Sequence, residues 1–338
     1  MTRPAALPIL LTIAVLSIAT AAVFIKLSDD AAPIVIAAAR LTFSTAILFP
    51  IAVYRRGGAA VKVSPKHLRR ILLAGTLLGA HFFFWITSLS HTSIVSSVVL
   101  VTTNPIFVGI ASYFLFGERI SNGMKLGIVF AIVGGSMIAI ADSSHDPAAF
   151  PATQSVDSRG AQSPSATDAD SPGFESKPSS WASGPLFGDF MSLCGAITAS
   201  GYFLVGRSVR REVDTLGYIL PVYSTAALLL LVGTGITILV TGESVTGYRT
   251  STYIYFLLLA ILPQLVGHSI FNWALKYMSA TLIAICILGE PIGATILSWC
   301  FLGESISLLQ ALGGAVILTG IFLSARGQNR AAAEGEPV

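Results

Sequence analysis

Apolar stretches of about 20 residues recur along the chain with short polar breaks between them. They fall at 7–27, 31–54, 68–89, 92–116 and 123–141, and again at 186–206, 216–240, 253–275, 279–302 and 307–325. At about 1.5 Å per residue, each is long enough as a helix to cross a hydrocarbon core of roughly 30 Å. The short alternating segments of a β-barrel are absent from the sequence. The pattern predicts an all-α integral membrane protein with ten transmembrane helices. Residues 7–21 have some features of a signal peptide, with Arg3 ahead of the apolar run and Ala19-Thr20-Ala21 as a cleavage site. Apolar character continues through Ile25, however, and the next stretch needs a partner to complete a membrane hairpin, so an uncleaved first span is expected.

The fifth and sixth spans are separated by 142–185, rich in Ser, Pro, Ala and Asp and almost devoid of large aliphatic residues, the composition of a disordered linker. It divides two halves, 7–141 and 186–325, that repeat one another. A single constant offset superposes Leu89 on Leu275, Ser93 on Ser279, Pro105 on Pro291, Gly117-Glu118 on Gly303-Glu304, Ile120-Ser121 on Ile306-Ser307, Gly127 on Gly313 and Gly134 on Gly320. Each half holds an odd number of spans, so the second copy enters the membrane from the opposite side. The expectation is two inverted five-helix repeats, an arrangement that places a site at their interface and lets it face either side by rocking. Gly75 with Gly79 and Gly127 with Ala131 have the small-xxx-small spacing of close helix contacts, whereas Gly313 with Ile317 does not.

Composition agrees with a lipid environment: 54% of residues are hydrophobic and 11% charged, against about 25% charged in soluble domains. The formal charge of +3 is too small, and too dispersed among loops, to suggest a nucleic-acid partner. The basic residues instead sort by side. With the N-terminal residues 1–6 and the tail 326–338 in the cytoplasm, the inner loops carry most of them, including Arg55, Arg56, Lys62, Lys66, Arg69, Arg70, Arg207, Arg210 and Arg211. The outer side keeps Lys26, Arg159, Lys177 and Arg249, so both termini of a cell inner-membrane protein are expected inside and the linker outside. Cys194, Cys286 and Cys300 fall within apolar spans and are expected as small buried hydrophobes, with no disulfide framework.

The same residues resemble the EamA-type repeat of the drug/metabolite transporter superfamily. In the first half the likeness rests on Phe24-Ile25-Lys26, Ala39-Arg40-Leu41, and Pro105 through Gly117-Glu118. In the second it rests on Glu290-Pro291 through Leu302-Gly303-Glu304, then Gly313 and Gly320. The first span departs from the family's frequent Trp-Gly pair, showing Ile18-Ala19-Thr20, and the linker is longer than usual. The resemblance implies a ten-helix carrier for small organic metabolites such as amino acids, often an exporter.

Candidate chemistry is confined to a few polar groups within spans. Arg40 lies roughly 14 Å into the second span, where a charge is costly and requires a partner: a substrate, a gate, or helix-end carbonyls. Glu290 is at similar depth in the ninth span, ahead of Pro291, which frees a carbonyl; it is either a proton carrier or a structural carboxyl. Asn104, ahead of Pro105, is its mate in the first repeat. His81, Gln264 and His268 are placed to line a cavity or to pack through hydrogen bonds. Lys26 is expected to snorkel at the outer interface or to line a vestibule. Phe82, Phe83, Phe84 and Trp85 read more readily as lipid-facing or packed than as substrate-stacking. Glu118 and Glu304 are expected as structural turn residues favouring the following helix N-terminus. No nucleotide-binding G-x-x-x-x-G-K-[ST] loop or H-E-x-x-H pair occurs, and His67, His81, His91, His145 and His268 lack ligand spacing, so neither a cofactor nor a metal is expected. An intramembrane enzyme is thereby disfavoured, and a non-transporting receptor or assembly protein is the rival to a carrier. Two buried charges of opposite sign suit a zwitterionic small molecule, with proton coupling through Glu290.

Overall fold

A backbone in lipid has to satisfy its own polar groups, and a helix does so within one segment. The computed structural model describes residues 4–55, 64–116, 122–143, 184–242, 244–278 and 280–333, and every regular element among them is helical. The elements are α1 (Leu7–Ala19), α2 (Ala21–Leu27), α3 (Pro33–Arg55), α4 (Pro65–Leu89), α5 (Ile94–Val101), α6 (Asn104–Phe116), α7 (Asn122–Ser143), α8 (Pro185–Arg210), α9 (Thr215–Thr241), α10 (Thr250–Leu259), α11 (Ser269–Ala274), α12 (Ala280–Ile287), α13 (Gly289–Leu302) and α14 (Leu308–Ala333). A π-helical stretch, Ala260–His268, joins α10 to α11. Taken with their continuations (α1–α2, α5–α6, α10–α11 and α12–α13), these make the ten expected crossing segments. Among the described residues, seven stretches are individually long and apolar enough to span a bilayer. Glu118 and most of the linker lie outside the described residues.

Local chemistry sets the ends and breaks. Asp214 caps α9 by accepting from the Gly217 N–H at 2.9 Å, and the helix stops at Gly242, whose φ of 69° is left-handed. Ser307 and Gln310 form a reciprocal capping box on α14, at 3.0 and 3.1 Å. The breaks in the fourth and ninth spans come where Pro105 and Pro291 open α6 and α13, positions at which a missing N–H costs a helix little. Pro263 sits inside the π-helical stretch, and the Gln264 carbonyl there is met by the Ser269 hydroxyl at 3.3 Å and the Tyr223 hydroxyl at 3.5 Å.

Packing follows the repeat. The repeat mates α3 and α9 contact each other across the interface, as do α7 and α14. The third span of the first repeat, α4, lies on α8, the first span of the second; reciprocally, the eighth span lies on α1. Such an exchange is what a two-fold relation between the halves requires. Polarity is reversed from a soluble protein: Arg40, Gln264, Asn272 and Ser192 are wholly buried, while Leu239, Trp299, Phe301 and Ile132 are exposed around the outside, where lipid would meet them. Cys300 is on that exposed face, with Cys194 and Cys286 half-buried, so the expectation of buried cysteines does not hold. The Gly75–Gly79 face receives α9, with Ala226 directly over Gly79. Close approach also occurs where the spacing did not suggest it: a methyl group on Gly134 would meet the Gly313 carbonyl at 2.5 Å, and one on Gly313 would meet the Gly134 carbonyl at 2.8 Å.

Candidate functional site

The broken fourth and ninth spans meet at the interface of the two halves and border a cavity of about 40 Å³. Its walls include repeat mates from both halves: Val101 with Ile287, Asn104 with Glu290, and Trp85 with Phe271. Phe82 and His268, also mates, touch edge to face with ring centroids 5.3 Å apart. The cavity thus sits on the pseudo-two-fold relation. It has room for a few water molecules, far less than the roughly 300–1,000 Å³ of an organic-ligand pocket. All the polar lining residues except His268 are buried, so this conformation is contracted around the site.

Arg40 dominates it. α3 carries the side chain inward; its Nε donates to Gln264 Oε1 at 2.9 Å, and the guanidinium carbon lies 4.0 Å from the Phe82 ring centroid, a cation–π contact. The Ser44 hydroxyl stitches the same turn to the π-helical stretch, reaching the Arg40 carbonyl at 2.6 Å and the Ala260 carbonyl at 3.2 Å. The terminal Nη1 and Nη2 of Arg40 are buried with no protein partner. Glu290, on the first turn of α13, is 8% exposed and faces the same cavity without pairing directly with Arg40. An arginine and a glutamate therefore share a space without a direct ion pair between them. A planar guanidinium with two free donors is suited to a carboxylate, and a carboxylate opposite it to a cation.

The structure brings together Arg40, Glu290, Asn104, His81 and His268, all lining the cavity. His81 Nδ1 is 3.0 Å from the Gly195 carbonyl, which only accepts, so that nitrogen carries the hydrogen. Gln264 is not in the wall: it stands behind Arg40 and fixes its orientation. Lys26 is elsewhere, its ammonium 3.1 Å from the Thr92 carbonyl and 4.0 Å from the Glu304 carboxylate. The next helix is capped by Ser307 and Gln310, and the Glu304 carboxylate accepts from the Ile94 N–H of α5 at 3.3 Å and from the Ser298 hydroxyl at 2.6 Å. Tyr202, Phe203 and Phe271, not singled out in the sequence, complete the wall together with Trp85, which was expected to be packed or lipid-facing. For Trp85 the signal was present: it lies on the buried stripe Ala74, Leu78, Phe82, Trp85 and Leu89 of α4, at helical three- and four-residue spacing. Phe83, off that stripe, is 36% exposed.

Comparison with known proteins adds to this geometry. A model of the EamA-like transporter family matches residues 7–140 and 186–326. An "uncharacterized transporter" of Archaeoglobus fulgidus is 30% identical over 78 residues, which is 23% of this chain; the chain spans 29% of that relative's length. A protein of known crystal structure superposes with a TM-score of 0.61 over 97% of this chain and 99% of its own, at 18% identity, a likeness of fold alone.

Proposed function

Because the chain belongs to the EamA-like transporter family, we propose that it is a secondary carrier that exports small zwitterionic metabolites, amino acids or related compounds, by alternating access. One observation supports this reading above the others: buried Arg40, with Nη1 and Nη2 unpartnered, shares a narrow cavity at the repeat interface with Glu290. Guanidinium nitrogens left without partners in a membrane interior are costly. An α-amino acid offers both missing partners, its carboxylate to Arg40 and its ammonium to Glu290. Loading the site requires the cavity to widen, and rocking of the two halves about their interface widens it toward one side at a time. Proton exchange at Glu290 once the ammonium leaves provides a coupling step that uses a gradient, with no nucleotide. The proposal places the protein in the inner membrane with both termini cytoplasmic, on the distribution of Lys and Arg among the loops.

The test is metabolite leakage and protection against toxic amino acids in cells making the wild type or Glu290→Gln, at matched membrane abundance. The wild type is expected to lower internal levels of particular amino acids and the variant to fail. If the wild type raises those levels, the carrier works as an importer; if it moves none, export of amino acids is wrong.

A further inference from the structure

Beyond the charge pairing just described, three side chains of the cavity wall carry a buried polar atom with no partner: Trp85 Nε1, Asn104 Oδ1 and His268 Nδ1, of which the first two have a fixed role as donor and acceptor and the histidine can take either. Trp85 is 3% exposed and its indole Nε1–H has no partner; Asn104 is 3% exposed and its Oδ1 has none. Both residues line the cavity. Their mounts are well held. The Trp85 ring stacks on His81, at 6.1 Å between centroids and 7° between planes, and His81 is itself bound to the Gly195 carbonyl. Asn104 opens α6, and its main-chain carbonyl accepts from the Ser200 hydroxyl at 3.0 Å. Anchored side chains with unsatisfied tips are an expensive arrangement for a membrane interior, since each lost hydrogen bond carries a desolvation penalty. The mate of Trp85 in the second repeat, Phe271, has no polar atom, so an indole is not needed to fill that part of the wall.

We propose that Trp85 and Asn104 form a second subsite, for a neutral hydrogen-bonding group on the substrate remote from its carboxylate. The inference rests on reading the Arg40–Glu290 cavity as the substrate site. The chemical class follows from the inventory of donors and acceptors. An indole N–H only donates, and the free Asn104 carbonyl only accepts. A second carboxylate would satisfy the indole and repel the amide oxygen; a second ammonium would do the reverse. A carboxamide or a hydroxyl both donates and accepts and satisfies the two together. The favoured substrates are therefore amino acids with an amide or hydroxyl side chain, over apolar side chains of the same size. A site built to hydrogen-bond a polar group rejects the analogue that lacks it far more strongly than a hydrophobic pocket rejects a change in size.

The experiment uses the full chain in proteoliposomes and two near-isosteric pairs, L-glutamine with L-methionine and L-threonine with L-valine. The readout is the ratio of fluxes within each pair in the same vesicles, which is insensitive to the amount of folded protein. The wild type is expected to favour the polar member by about tenfold or more. Trp85→Phe, which keeps the ring and removes the N–H, and Asn104→Leu are each expected to bring the ratio toward unity. A wild-type ratio near unity, or ratios unmoved by both variants, overturns the subsite and leaves the Arg40–Glu290 reading standing. Absence of flux for all four amino acids in the wild type overturns both.

Discussion

At the scale of single residues, Gln264 decides what Arg40 can do. By accepting from Nε, the amide fixes the guanidinium and leaves its two terminal nitrogens without a protein partner, and it does so without neutralising the charge. Gln264→Glu changes only that last property. The variant is expected to fold at least as well as the wild type, because a carboxylate then meets the buried cation. It should bind carboxylate substrates at least about tenfold more weakly, because the charge is already compensated. Thermal unfolding and flux measured on one preparation check both halves of the expectation. Arg40 and Glu290 are legible from sequence, since a charge deep in an apolar span stands out against its neighbours. Trp85 is legible only as a packed residue, from its place on the apolar stripe of α4; its part in the cavity wall is not, because that depends on α8, which packs against α4 from the other repeat.

Among the elements, the spans and their repetition follow from apolar run lengths and from recurring Pro and Gly, and the breaks at α6 and α13 follow from Pro105 and Pro291. The π-helical stretch does not follow from Pro263, because Pro50 and Pro221 sit inside ordinary helices of this same chain. What distinguishes Pro263 is tertiary: Tyr223 and Ser269 are at hand to satisfy the Gln264 carbonyl beside it. The crossing of α7 and α14 depends on the absence of side chains at one point. Gly313→Ala puts a methyl group 2.8 Å from a main-chain carbonyl that has no rotamer by which to yield. The helix pair has to separate, a cost of roughly 1–3 kcal/mol. A lowered unfolding midpoint in detergent is expected, and an unchanged one would mean that the two helices part without penalty.

Across the whole molecule, the closed site lies between two polar fastenings. At the end proposed as outer, Lys26 and Glu304 tie the first span to the fourth and ninth, and Asp30 accepts from the Arg249 N–H at 2.8 Å and the Thr252 hydroxyl at 2.6 Å. At the opposite end, Glu212 accepts from the Lys66 ammonium at 2.9 Å, with His67 Nε2 at 3.4 Å. The Lys66 hydrogen bond and charge, helped by His67 and Arg70, outweigh desolvation and hold the Glu212 carboxyl below its ordinary value of 4.5. A depressed carboxyl stabilises the fastened state fully above that ordinary value, and the contribution fades as pH falls through the lower folded value. Glu212→Gln is therefore expected to melt below the wild type at neutral pH, with the gap closing below about pH 4.5. At neutral pH the variant should also open the site toward the Glu212 end, read by faster thiol labelling from that side of a cysteine placed in the cavity after Cys194, Cys286 and Cys300 are replaced. A pH-independent gap, or unaltered labelling, would show that this fastening does not hold the carrier shut.

The hydrogen bond from Arg40 to Gln264 joins residues 224 apart in the chain, and this has a consequence for biosynthesis. While the first half is being inserted, the second span carries a full charge whose protein partner has yet to leave the ribosome. Until the eighth span arrives, that guanidinium must draw on water or lipid headgroups, and the first five helices cannot settle into their final arrangement. A chain halted within the linker would display in the bilayer a charge without its protein partner, a defect that the finished protein lacks.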